Sequence, residues 1–233
     1  MEGLVVVLIL LALVVAAYAW FTRTREAPAP RPDTAEPAAA APRTLTVETL
    51  RPGDAVSFWD GEDTVVDCVL ACEEQVGARR TRWRWALLRS GRLLETAPDG
   101  NVLYTASEVL YQGTPLFEQL TAEPAAGGVL KTFEARVRAG TVGTNPVFFD
   151  YQGRRFQVRS TGTFRATPQG APPTGEVWRD IADDPTQNVY FELEAADGTQ
   201  GLGIWTTHIL LLVGEPLKAS DIRGLFPGAA ATG

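Results

Sequence analysis

The sequence predicts an all-β globular region built as two small antiparallel β lobes related by a weak internal repeat, preceded by one N-terminal transmembrane helix and a Pro/Ala-rich tether. Three observations predict it. Residues 4–21 read LVVVLILLALVVAAYAWF without a charge. Five Pro residues fall between Glu26 and Arg43. From about Leu45 onward, short apolar or alternating runs are separated by turn dipeptides, with almost no sustained 3.6-residue period.

The apolar run, at about 1.5 Å per residue, spans roughly 27 Å as a helix, close to the hydrocarbon thickness of a bilayer. Val is a mediocre helix former in water, but in lipid a lone segment satisfies its backbone groups only as a helix. Tyr18, Trp20 and Phe21 stand at the end where aromatic rings suit the headgroup boundary. Arg23, Arg25 and Arg31 follow the run and no Lys or Arg precedes it, an asymmetry that favours a cytoplasmic C-terminal side. Ala17-Tyr18-Ala19 imitates a small-x-small cleavage site, so a cleaved signal peptide is the rival reading, although its usual basic start is missing.

The tether's prolines forbid a continuous helix, and in extended form it reaches roughly 50 Å. The chain accordingly divides into an anchor (1–25), a linker (26–43), a first β lobe (44–120), a joint rich in small residues (121–129), a second β lobe (130–226) and a tail (227–233). Expected strands in the first lobe are Ala55–Trp59, Thr64–Cys72, Arg82–Leu88, Leu93–Thr96, Val102–Ser107 and Val109–Gln112. In the second they are Thr132–Arg138, Val147–Tyr151, Arg154–Ser160, Gly162–Ala166, Val189–Glu194, Gln200–Trp205 and Ile209–Val213. Ala219–Leu225 reads as a helical turn or two with Ser220 as N-cap. Asp60-Gly61, Ser90-Gly91, Asp99-Gly100, Gln152-Gly153 and Asp197-Gly198 supply the turns between strands.

The repeat rests on a shared order of motifs. An aromatic hairpin (Val56 to Gly61; Val147 to Gly153) precedes an aromatic strand (Trp83-Arg-Trp85; Val189-Tyr190-Phe191). An Asp-Gly turn follows, then a closing G-x-P-L at Gly113 and at Gly214.

Composition narrows the function. The 233 residues carry a net charge of −7, 45% hydrophobic residues, two Cys and one His. That excludes a wholly disordered chain, a disulfide-framed secreted module and a general nucleic-acid binder. No G-x-S-x-G elbow, Walker A loop, H-E-x-x-H or strand-linked G-x-G-x-x-G is present. Gly198-Thr-Gln-Gly201-Leu-Gly203 opens onto a strand and reads as a hairpin with a bulge. His208 lacks a nucleophile nearby in sequence and reads as a loop or strand-end histidine. Cys68 and Cys72 share one face of a strand about 13 Å apart, beyond disulfide reach, and read as buried reduced thiols. Asp180, Asp183 and Asp184 in a Pro-bounded loop, and Glu192 with Glu194 on one strand face, read as solvated acids. The alternatives for such acids are glycosidic chemistry or a hard cation.

The most unusual local feature is basic: Arg79, Arg80, Arg82, Arg84, Arg89 and Arg92 interleave with Trp83 and Trp85. In a strand the two Trp take one face and Arg82 and Arg84 the other. The Arg row forms the candidate interaction patch, for anionic headgroups or a phosphorylated partner, against a competing reading of cross-strand pairing with Asp60, Glu62, Asp63, Asp67, Glu73 and Glu74. Between Leu45 and Gly128 seven Arg or Lys stand against 13 Asp or Glu, a net −6, which argues against nucleic acid.

Leu50-x-Pro-Gly53-Asp54-x-Val56, Trp83-x-Trp85-x-Leu-Leu88, Leu93-Leu-Glu95-x-x-x-Asp99-Gly100, Tyr151-x-Gly153-x-x-Phe156 and Val213-Gly214-x-Pro216-Leu217 follow one another in the chain. In this layout the chain, over about residues 50–217, resembles the uncharacterised bacterial family called domain of unknown function 4178. Val189-Tyr-Phe-Glu-Leu-Glu194 departs from the more Trp- and acid-rich strand expected there. The resemblance implies a β-rich domain without an established activity, in the company of small membrane proteins and polyamine aminopropyltransferase-like enzymes. It carries over no catalytic residue.

The expectation is a single-pass, membrane-anchored, non-enzymatic accessory or adaptor domain at the inner face of a bacterial membrane. Its partners would be the bilayer through residues 4–21 and a membrane-proximal protein, with no cofactor and no metal. The alternatives are a domain binding a small ligand of the polyamine kind, an exported envelope binding protein, and a hydrolase acting through His208.

Overall fold

Among the described residues eleven β-strands form one sheet in the order β11-β1-β2-β3-β4-β5-β10-β9-β8-β7-β6, and a further pairing of β2 with β7 closes eight of them into an antiparallel barrel. The computed structural model describes residues 44–184 and 188–228. The expected anchor and tether, residues 1–43, and the tail from 229 onward lie outside the described residues, among which no helix is long and apolar enough to cross a membrane.

The strands are β1 (Ala55–Phe58), β2 (Asp63–Val76), β3 (Arg79–Leu88), β4 (Leu93–Ala97), β5 (Gly100–Leu110), β6 (Phe148–Tyr151), β7 (Arg154–Gly170), β8 (Asn188–Ala195), β9 (Gln200–Trp205), β10 (Ile209–Pro216) and β11 (Ile222–Phe226). Helices α1 (Pro115–Thr121) and α2 (Val129–Arg138) follow β5, and α3 (Glu176–Asp183) joins β7 to β8. The turn dipeptides act as their chemistry dictates. At Gln152 (φ 48°) and Gly153 (φ 76°) two successive residues are left-handed, the backbone of a tight hairpin.

The two expected lobes are one barrel instead. Residues 44–120 supply β2 to β5 and residues 130–226 supply β7 to β10. Each set alone is a meander with two open edges, and pairing β5 with β10 and β2 with β7 removes those edges by hydrogen bonding. Exchanging β1–β5 with β6–β10 leaves their neighbour relations unchanged. The sequence motifs do not obey that exchange: Asp99-Gly100 joins β4 to β5, whereas Asp197-Gly198 joins β8 to β9.

Other expectations also change. Thr132–Arg138 is not a strand but belongs to α2, because Val129, Leu130 and Phe133 fall on one helical face and are buried against the outer barrel wall. The joint at 121–129 holds the end of α1, a 3-10 turn over Pro124–Ala126 and the start of α2. Val102–Ser107 and the start of Val109–Gln112 merge into β5, which ends at Leu110 and leaves Tyr111 and Gln112 outside it, and Arg154–Ser160 and Gly162–Ala166 merge into β7. Near the C-terminus the 3-10 turn Ala219–Asp221 is capped at Lys218 rather than Ser220, and the chain then runs on as β11.

Bulges let the long strands serve two cores. In β2 the register shifts between Val66 and Cys68, and in β7 between Val158 and Ser160. Each adds one unpaired residue, so side chains of the same parity switch faces. Val66 therefore lies in an outer core under β1, whereas Cys68, Leu70 and Cys72 enter the barrel. Val158 likewise packs outside with α1 and α2, and Phe164 and Ala166 inside. The barrel core gathers Trp83, Trp85, Tyr104, Phe164, Leu202 and Leu212, with Val177 and Ile181 of α3 plugging one end. Gly201 and Gly203 in β9 mark close approach rather than a bulge, since Leu193 and the Phe191 ring occupy the space a Cβ would need.

Candidate functional site

The end of the barrel opposite α3 opens into an acid-lined recess. Inward positions alternate with outward ones, and toward this end β4 contributes Glu95 and Ala97, β5 Val102 and Tyr104, and β8 Glu192 and Glu194. The Asp99-Gly100 turn closes one rim and Gln200 with Gly201 the facing one, around a cavity of about 320 Å³.

Glu95 is the deepest acid, 8% exposed, and accepts a hydrogen bond from the Tyr104 hydroxyl at 2.9 Å. Burial pushes its carboxyl up to about 7. The Tyr104 bond opposes the rise, the Glu192 charge adds to it, Trp85 opposes it, and the Asp99 charge adds again. Trp85 is fully buried beside it, its indole N–H near enough to favour the charged carboxylate although outside full hydrogen-bonding geometry. Glu192 accepts from Ser160, its register partner on β7; burial, with the charges of Asp99 and Glu74, raises it too. Tyr190 donates to Glu74 at 3.0 Å across the point where β2 and β7 diverge, and burial followed by that carboxylate pushes its hydroxyl up. Arg159, the residue extruded by the β7 bulge, is the one cation lining the recess among the described residues, and Glu194 holds it at 2.7 Å. Negative charge thus exceeds positive inside a partly enclosed, low-dielectric mouth.

The structure disperses the arginine row. Arg82 and Arg80 both reach Glu73, at 2.8 and 3.2 Å. Arg89 pairs with Asp67 at 2.8 Å, and Arg92 bridges Asp60 at 2.7 Å and Glu62 at 2.8 Å. Arg84 donates to the carbonyls of Glu48 and Leu50, pinning the 3-10 turn Val47–Thr49 to the barrel wall. Arg79 stands exposed at the β2–β3 hairpin. Trp83 and Trp85 point into the barrel and Arg82 and Arg84 away from it.

His208 sits in the β9–β10 turn at the α3 end. Its Nδ1 accepts from the Gln112 backbone at 3.3 Å, and its Nε2 lies 3.4 Å from Glu176. No Ser or Cys contact to it is present among the described residues, and the histidine ties the turn to α3 and to the chain beyond β5. Asp180 and Asp183 lie on α3 rather than in a loop, with Asp184 as its C-cap, and Asp180 accepts from the Thr207 backbone. Cys68 and Cys72 are free, buried thiols on the inner face of β2.

Sequence reasoning paired Glu192 with Glu194 but missed Glu95, Asp99, Tyr104 and Arg159. The available signal was Glu95 itself, a carboxylate inside the apolar strand Leu93–Ala97. Among the described residues no three His, Cys, Asp or Glu side chains converge to hold a metal ion. The acids are spread along the recess. No family model matches the chain, and no curated protein or solved structure matches it.

Proposed function

We propose that the chain is a non-enzymatic accessory domain, anchored by residues 4–21 with its barrel on the cytoplasmic side, that takes a small organic cation of the polyamine class into the barrel mouth. The observation that carries this reading is the buried Glu95 with Glu192 and Asp99 close enough to raise it, while Arg159, the one lining cation among the described residues, is occupied by Glu194. Buried carboxylates of like charge are costly unless a cation joins them. A chain of ammonium groups separated by methylenes suits acids strung along a cavity whose wall also offers Ala97, Val102 and Pro216. The resemblance of residues 50–217 to domain of unknown function 4178 supports the same class of ligand. Strand order supports a second, structural proposal, that β1–β5 and β6–β10 descend from one five-strand unit.

Calorimetry of the full chain with spermidine at low salt tests the reading. Binding is expected, with protons released near pH 7 as Glu95 ionises beside the ligand. Glu192→Gln should weaken binding about tenfold, the scale of one charge-assisted contact. An absence of heat at low salt would overturn it.

A further inference from the structure

On the outer face of β2 lies a hollow of about 570 Å³ that shares Ala97 with the wall of the acidic recess. Glu73 stands at its rim as the register partner of Arg82 on β3 and of Arg165 on β7. Arg80 reaches the same carboxylate. Glu73 therefore faces three guanidinium groups, Arg82, Arg165 and Thr167 are exposed around it, and Arg84 and Glu48 add one charge of each sign to the lining. Ala71 is too small to fill the space beside them, so the guanidinium edges border a cavity instead of packed side chains. The long-range field of the acidic chain is screened within about 8 Å at physiological salt, so the local excess of positive charge governs what settles there. Forked donors from β3 and β7, the two strands that flank β2, border a shallow pocket and match the oxygens of a phosphate group.

We propose that this hollow binds the phosphate of an anionic phospholipid headgroup, seating the barrel wall against the membrane. Thr44, the first described residue, leads directly into the turn Val47–Thr49, and Glu48 of that turn lines the hollow. The hollow is thus lined in part by the segment that opens the described domain. The phosphate site stands on the arginine geometry; the choice of a lipid as carrier rests on reading residues 4–21 as an anchor. Arg165 was absent from the arginine row read in the sequence, because β2–β7 pairing alone brings it to Glu73.

The test uses the full chain in phosphatidylcholine nanodiscs with and without phosphatidylglycerol, and reads phenylglyoxal modification of individual arginines by mass spectrometry. Phosphatidylglycerol should slow modification of Arg82 and Arg165 about tenfold, as one charge-assisted contact would, and leave Arg89, paired elsewhere with Asp67, unchanged. Arg165→Ala, an exposed substitution that spares the fold, should weaken the protection of Arg82. Equal rates with both lipids, slowing that includes Arg89, or protection indifferent to Arg165→Ala would overturn the site. A third arm adds inorganic phosphate to phosphatidylcholine discs: protection matching that of phosphatidylglycerol keeps the phosphate site and overturns the lipid as its carrier. Membrane extraction of the same chain at alkaline pH reports on the anchor separately, so loss of the anchor and loss of the site are told apart.

Discussion

Tyr104 on β5 and Glu95 on β4 meet inside the barrel, the phenol donating to the carboxylate at 2.9 Å with both side chains removed from water. One hydrogen bond cannot replace a hydration shell, and neither Glu192 nor Asp99 supplies a counter-charge. Burial therefore opposes ionisation of Glu95 and the Tyr104 bond offsets only part of that cost, the balance on which the amine-binding reading depends.

The pH dependence follows from that pair. The Glu95 carboxyl has an ordinary value of 4.5 and is held at about 7 in the folded chain. Between those values the folded state binds the extra proton, so stability falls as pH rises from 4.5 to 7 and stays low above it. The interval corresponds to about 3 kcal/mol. Glu95→Gln keeps an acceptor for Tyr104 without the charge, so its thermal stability should lose this component and exceed that of the native chain at pH 8. Parallel pH–stability curves for the two proteins would refute the buried-acid assignment.

The parts of the fold legible in the sequence are those set by local chemistry. Gly turns and alternating runs place most strands, because a side-chain period of two and a positive φ are read within a few residues. The β2–β3 hairpin runs beyond the expected Cys72 and Arg82 limits because Glu73 pairs with Arg82 and Gln75 with Arg80, polar residues that carry no apolar signal. Barrel closure was out of reach, since Cys68–Glu73 must find Arg165–Gly170 far along the chain. The site shared that fate. Glu95 stands between Leu94 and Thr96, both buried on the opposite face, so nothing local marks which face of β4 turns toward a cavity.

A Cβ at Gly203 would lie 1.9 Å from the Phe191 ring. Phe191 is fully buried, and β8 and β9 are in register at this pair, so neither side can give way without disturbing the ladder. Gly203→Ala should cost about 1–3 kcal/mol by overpacking. Adding Phe191→Leu should recover part of the loss, a coupling that a double-mutant thermal-unfolding cycle measures. Simple additivity of the two changes would argue against the contact.

Both thiols are predicted to be inert in the folded chain. Burial raises Cys72 well above its ordinary value, with the Glu95 charge adding to it; burial also raises Cys68, opposed by a backbone hydrogen bond from Gln169 and aided by Asp67. Since the thiolate is the reactive form, a disulfide reagent at pH 8 should label neither residue until denaturant is added. Labelling within the mixing time under native conditions would place at least one thiol outside the barrel.

Asp54 gives the last prediction, because it joins the two ends of the described domain. It is 3% exposed; one carboxylate oxygen accepts from the Arg51 backbone at 2.7 Å and the other from the Gly228 backbone at 2.9 Å. It thereby holds the turn before β1 against the strand exit of β11, whose Phe226 is the register partner of Ala55. Asp54→Ala removes both acceptors and leaves two N–H groups at a partly buried site, a loss of about 2–3 kcal/mol. Asp54→Asn keeps one oxygen but presents an NH₂ to the other donor, so it should recover little of the loss. Hydrogen exchange should then quicken first in β11 and β1, which sit beyond the closed barrel and depend on this clasp. Uniform loosening of all strands instead would mean that the barrel itself, and not its outer strands, rests on Asp54.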